Sequence, residues 1–443
     1  MGKVARMIPR RFPLVGNLPR YLADKLGFLR ESVREYGLPV EMQLGGRTLL
    51  LTDPADVHHV LVENPTNYSK TPRLSSPRGK KLFGEGLLTT SSSEHLRQRR
   101  LLQPVFTNSS IRNYGDVVKN QVLKAVEKIS TRSQVDLCLE MEELTRSVLV
   151  AVLFGEDFED SDGEFAVAVR DHREFIEYVY ASLLPYPERW YLPIVRREKF
   201  AQKLFAATIE AQIKKCRESG NARRSLLQDF LNANYADGSS MSDSLVFDEA
   251  VTMLSTGYET IGDALTWAYY LLCKNPAVVQ RMKEEVERVL GGRSPDADDI
   301  VKLTYVNQVF SESLRIYSPT WIFVRVANGQ DRLPSGFPIY PGTKIYLSQY
   351  ISHRDPRWFP DPERFDPDRF APQEVEKRPR FSYFPFGGGA RVCIGEHLAR
   401  MEAVMVLATT VQRLRFELVY PEEPVLKPGI TLRPRGGLLV RVF

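Results

Sequence analysis

Residues Phe384 to Gly395 read FPFGGGARVCIG. Three successive glycines, an arginine and a cysteine follow a stiff Phe384–Pro385–Phe386 lead-in. Glycine lets a backbone approach a partner closely and adopt positive φ, so the run predicts a loop folded over a flat object. Cys393 heads the helical pattern EHLARMEAVMVLATTVQRL. A helix N-terminus and a nearby cation, here Arg391, favour thiolate over thiol, and backbone N–H groups beyond the cysteine can point at the sulfur. Most lone cysteines are small core residues. Glycine loop, helix start and arginine together make this one a ligand candidate. The spacing fits no dinucleotide or phosphate cradle: after Gly387 and Gly389 the third glycine would fall at position 392, a valine, and no Gly-Lys-Ser/Thr follows. A hydrolase using the loop as an oxyanion hole would need a nucleophile–base pair, and no G-x-S-x-G occurs. A thiolate in this setting suits haem iron.

The stretch resembles the haem-binding loop of the cytochrome P-450 family, F-x-x-G-x-R-x-C-x-G, at Phe386, Gly389, Arg391, Cys393 and Gly395. The resemblance implies haem b (iron protoporphyrin IX) with Cys393 as its axial thiolate, Phe386 shielding the sulfur and Arg391 on a propionate. The family's other motifs follow along nearly the whole chain. ESLR and PERF imply a buried structural network of Glu312, Arg315 and Arg364. TGYET matches the family's A/G-G-x-D/E-T-T/S at Gly257, Glu259 and Thr260. It departs at Thr256 and Ile261, and Thr256 is expected to narrow or polarise the space above the iron. Glu259 and Thr260 would then be the acid–alcohol pair that delivers protons to dioxygen. EHLRQRRLLQPVF resembles the helix that grips the propionates; His95 and Arg99, four apart, share a face. Arg325 in FVRVANG matches a further arginine of that kind.

These residues need elements to position them. The segment SLVFDEAVTMLSTGYETIGDALTWAYYLLCKN reads as one long central helix, capped by Ser242 or Asp243 and stopped at Asn275–Pro276. Some 30 residues of helix would span about 45 Å. PVEMQLGGRTLLLTDP reads as a hairpin, 320–350 as a small sheet, RDPRWFPDPERFDPDRF as extended coil and ITLRPRGGLLVRVF as strand. The remainder is largely helical. The fold class expected is mainly α with small β-sheets (α+β), one domain over 1–443 with no fused reductase. Phe175 to Tyr191, rich in aromatics and prolines, falls where the family has its lid. With Thr256, Thr320, Trp321, Ile322 and Phe323 it predicts a largely apolar substrate pocket.

Composition is that of a globular chain, 43% hydrophobic and 26% charged over 443 residues. A net charge of +5 does not indicate nucleic acid, although Arg97 and Arg100 could dock an acidic partner. Four scattered cysteines without a C-x-x-C pair point to a reducing compartment and exclude a zinc ribbon. No apolar run long enough for a transmembrane helix, no secretory signal and no myristoylation pattern is found, so the expected location is cytoplasmic. The resemblance implies a monooxygenase that inserts one oxygen atom from dioxygen into a hydrophobic molecule: a fatty acid, terpenoid, steroid or polyketide. Electrons would come from a separate ferredoxin or flavodoxin. The rivals are a peroxide-driven peroxygenase of the same fold, which would lack the Glu259–Thr260 pair, and a non-catalytic haem-thiolate gas sensor.

Overall fold

The computed structural model describes residues 6–8, 15–181, 192–220 and 224–443. Helices dominate, and four small sheets flank them. The hairpin forms as expected: Val40–Gln43 pairs antiparallel with Arg47–Leu51, and Gly45 and Gly46 between them both take positive φ. Within 320–350, Asp331–Arg332 and Pro338–Ile339 pair as a two-stranded sheet of their own, while the other two strands join a larger one. Lys344–Leu347 pairs with Arg47–Leu51 and with Phe323–Ala327, and Tyr68–Lys70 closes the edge, so six strands from both ends of the chain make one sheet. The C-terminal strand Leu439–Val442 recruits Gln134–Asp136, which the sequence pattern did not reveal.

The expected single central helix is two helices, Asp243–Thr256 and Glu259–Lys274. Ser242 caps the first by accepting from the Leu245 N–H, and the second stops before Pro276, as the end signals required. The break falls at Gly257–Tyr258, and its cause is visible on both sides. Ser255 and Thr256 donate their hydroxyls back to the carbonyls of Val251 and Thr252 at 2.7 Å each, a bond that bends helices. Across the break, Thr145 of the Leu137–Phe154 helix donates to the Tyr258 carbonyl at 3.0 Å. Gly257 sits so close to Leu149 that a Cβ would stand 3.2 Å from its methyls. Thr256 thus spends its hydroxyl hydrogen inside the helix and remains half-buried.

Glu259–Lys274 is buried on nearly every side and forms, with Glu396–Arg413, the centre of the largest apolar core. Two smaller cores lie under the six-stranded sheet. The first part of the aromatic segment is helix, Glu164–Ala181; Phe175, Ile176 and Val179 pack on Leu82, Phe83 and Val195. Residues 182–191 of that segment lie outside the described residues.

Candidate functional site

Cys393 is the one exposed cysteine of the four; Cys216 is buried and the other two are half-buried. Its N–H donates to the Phe386 carbonyl at 2.9 Å, which closes the loop on itself. The last helix begins at Glu396, where its sequence pattern begins, with Gly395 as its cap residue. Although Cys393 is exposed, desolvation by the protein packed around its sulfur raises the thiol above its usual range; the Gly395 N–H on the sulfur opposes this, Glu396 adds to it and Arg99 opposes it. The cation acting on the sulfur is thus Arg99, not Arg391. Arg99 also donates to the Val392 carbonyl at 2.8 Å.

The glycines answer to the protein itself. Gly387 and Gly389 take φ of 79° and 67°. A Cβ on Gly389 would collide with the Leu61 carbonyl, and one on Gly388 with the Phe381 ring. They let the loop dock against a neighbouring turn, His59–Glu63, that fixes its position. Phe323 belongs to this backing, its ring 3.2 Å from a Cβ placed on Gly387. Trp321 points elsewhere, donating to the Gly429 carbonyl within the N-terminal core. Thr320, Ile322 and Phe323 are each half-buried, and Ile322 packs against the same core as Trp321. Phe386 is half-buried against the main core, with the Arg400 guanidinium 4.9 Å from its ring centre.

His95, Arg99, Arg325 and Arg391 are brought together, and a fifth basic residue joins them that no motif announced. Lys70 lies directly opposite Arg325 across two antiparallel strands. Lys70 and Arg391 donate to the same carbonyl, that of Leu87, and Arg391 also to that of Thr90. Burial and then the nearby Arg391 and Arg325 push Lys70 down to about 6. Burial, then the nearby Arg391, Lys70 and Arg99, push His95 to about 3. Arg325 and Arg391 fall to about 10, mainly by burial. Like charges directly opposite on a sheet are destabilising, and buried charge demands a partner. Among the described residues no carboxylate pairs with any of the five. The donor set fits a buried dianion beside Cys393, and the two propionates of haem have that chemistry.

A pH dependence follows. Unfolded Lys70 holds its proton to about 10.4, whereas in the fold it lets go near 6. The unfolded chain therefore binds the extra proton between these values, and stability rises with pH across that window. Urea midpoints of the haem-free protein are expected to climb from pH 6 towards 10 and to flatten in Lys70→Met; equal slopes would refute the assignment.

Glu312 and Arg315 are both fully buried and joined by two bonds of 2.6 and 2.8 Å. Arg315 spends its remaining donors on the carbonyls of His353, Pro362 and Arg364. Arg364 thus contributes its backbone, and its side chain is exposed. The second guanidinium at Glu312 is that of Arg369, 3.5 Å away. His353 in turn accepts from the Phe384 N–H at 3.0 Å, so the network holds the lead-in of the cysteine loop. Burial keeps that imidazole neutral, as an acceptor must be.

Glu259 and Thr260 start the second half of the broken helix. Thr260 is half-buried. Glu259 accepts from the Thr431 hydroxyl at 3.0 Å and from Arg433 at 2.8 Å. Burial raises its carboxyl, against the pull of Arg173. Arg433 also pairs with Glu177 of the Glu164–Ala181 helix. Thr431 and Arg433 lie on a C-terminal hairpin with no recognisable motif.

The sequence model of one family, described as Cytochrome P-450, matches residues 7–440. Cyclooctatin synthase of Streptomyces melanosporofaciens is 34% identical over 438 residues, covering 96% of this chain and 91% of that protein. Cyclooctat-9-en-7-ol 5-monooxygenase of the same organism is 32% identical, covering 96% and 90%. The chloroplastic carotene epsilon-monooxygenase of Arabidopsis thaliana is 32% identical, covering 95% and 83%. Among the described residues no helix is long and apolar enough to cross a membrane.

Proposed function

Since the chain belongs to the cytochrome P-450 family and is a haem-thiolate monooxygenase, we propose that its substrate is a cyclic terpenoid and its cofactor haem b. The observation that carries the substrate class is the match over almost the full chain to relatives named for a cyclooctatin, a cyclooctatenol and a carotene. When bound, the haem supplies the activation of dioxygen for insertion into a C–H or C=C bond.

This chain's residues do the rest. Cys393 ligates the iron and Gly395 steadies the sulfur. His95, Arg99, Arg325, Arg391 and Lys70 hold the propionates. Arg99 touches both the cysteine loop and this cluster, and so ties ligand to cradle. Glu259 and Thr260 sit at the helix break and pass protons to the oxygen that leaves as water. The Glu164–Ala181 helix, linked to Glu259 through Arg433, covers the substrate. Arg97 and Arg100 are exposed on the Ser92–Leu102 helix beside Arg99 and offer an acidic ferredoxin or flavodoxin a basic face.

Spin-state titration of the purified holoprotein tests the substrate class. Polycyclic diterpene alcohols and carotenes are expected to shift the haem spectrum at lower concentration than fatty acids or steroids. A preference for either of the latter would overturn the terpenoid reading and leave the family intact.

A further inference from the structure

We propose that Asp263, the Thr431 hydroxyl and Glu259 form a proton store, in which Asp263 keeps the proton and hands it through Thr431 to Glu259. This rests on the proton-delivery role given above to Glu259 and Thr260.

Asp263 lies one turn after Glu259 on the same buried helix, where side chains four apart are neighbours. Its Oδ2 is enclosed and has no hydrogen-bond partner. Two buried carboxyls this close do not both ionise. The environment decides which one stays charged. Glu259 is contacted directly by Arg433 and feels Arg173 and Lys427. Asp263 has no cation in contact; burial, then Glu259, then Glu142 drive it towards the acid form, and only Thr431 and Arg173 oppose this.

Thr431 sets the direction. A hydroxyl has one hydrogen to give, and Thr431, almost fully buried, gives it to Glu259. Thr431 also stands near enough to Asp263 to favour its charged form; with its hydrogen given to Glu259, its oxygen is left to accept from a protonated Asp263. In the transfer, the Asp263 O–H bond breaks and its proton joins the Thr431 oxygen. The Thr431 proton moves to Glu259, leaving Asp263 as carboxylate and Glu259 as acid, with no change in total charge. Glu259 then carries a transferable proton at the residue before Thr260; once it is given up and Glu259 is again a carboxylate, one proton from bulk solvent restores Asp263. The other groups facing this store are Cys138, Glu142 and Arg146 from the Leu137–Phe154 helix and Arg173 and Glu177 from the Glu164–Ala181 helix. Tyr258 at the break and Lys427 and Arg433 on the hairpin complete the set.

Infrared spectroscopy of the holoprotein at neutral pH tests this, with aspartates carbon-13 labelled at the carboxyl so that the buried Glu249 and Glu402 do not interfere. A protonated-aspartate C=O band is expected in the wild type, absent from Asp263→Asn, retained in Thr260→Ala and shifted in Thr431→Val. With a reduced ferredoxin as donor and a carotene as probe, Asp263→Asn is expected to slow product formation on the order of 10²-fold, the low end for a positioned proton donor, and to divert dioxygen to hydrogen peroxide. No such band in the wild type, or one that survives Asp263→Asn, overturns the store; so does unchanged coupling in Asp263→Asn while Thr260→Ala uncouples. Should Thr260→Ala itself stay coupled, the Glu259–Thr260 reading falls instead. The wild-type band is informative even if a variant fails to fold.

Discussion

Cys393→Ser is expected to abolish the strongly red-shifted band of the reduced carbon monoxide complex and with it all monooxygenase activity. Sulfur is soft and donates electron density to iron as a thiolate, and serine oxygen does neither well at neutral pH. The local environment sharpens the expectation. Desolvation raises the Cys393 thiol, and the Gly395 N–H and Arg99 only partly offset this. A bound iron would displace the thiol proton, as a coordinating metal ordinarily does. Haem loading of the wild type should therefore release a proton from the cysteine. The five basic residues remain in Cys393→Ser, so haem is still expected to enter, with an altered ligand and an unshifted carbonyl band. Arg325→Leu is expected to behave in the opposite way: weaker haem retention with the shifted band intact in whatever fraction stays loaded. If Cys393→Ser kept the shifted band, another residue would have to be the ligand, and none of the other three cysteines is exposed.

What could be read from sequence was what the chain keeps contiguous. The cysteine loop and Glu312–Arg315 are legible because ligand, glycines and paired charges lie within one loop or one helical turn. Lys70 was not legible: it ends a three-residue strand, and only its register with Arg325 gives it meaning. Thr431 and Arg433 were missed for the same reason, since their hairpin reaches Glu259 from the far end of the chain. Arg364 was expected from the PERF motif alone; nothing in the irregular coil that follows marks Arg369 as the arginine whose side chain reaches Glu312. The broken helix was read as continuous because one glycine is a tolerable cost of about 1 kcal/mol in a helix; the decisive contacts, Thr145 on the Tyr258 carbonyl and Leu149 against Gly257, belong to another helix. The glycine loop was read as folding over a bound flat group, but the glycines of the loop meet Leu61 and Phe381, which sequence spacing does not relate to it.

Arg315→Ala is expected to cost about 3–5 kcal/mol, the usual penalty for leaving a buried charge unpaired. Against a total stability of roughly 5–15 kcal/mol, that is enough to unfold much of the protein at growth temperature. Glu312 would be left with the more distant Arg369 alone. Many buried ion pairs can be exchanged for apolar residues without loss, and the double variant Glu312→Leu/Arg315→Met asks whether this one can. It is not expected to recover. Arg315 also serves three backbone carbonyls, and Glu312 accepts from the Asp366 N–H at 3.0 Å. Each buried polar group left bare costs roughly 1–3 kcal/mol. Arg315→Lys should fail as well, because one ammonium with three donors cannot replace a fork with five. The defect should reach the site through His353 and Phe384: surviving folded protein is expected to lose its thiolate-type carbonyl band over time while helical circular dichroism persists. Full recovery in the double variant, measured by urea denaturation, would show that the pair acts only through its own charge and not as the hub that fixes the cysteine loop.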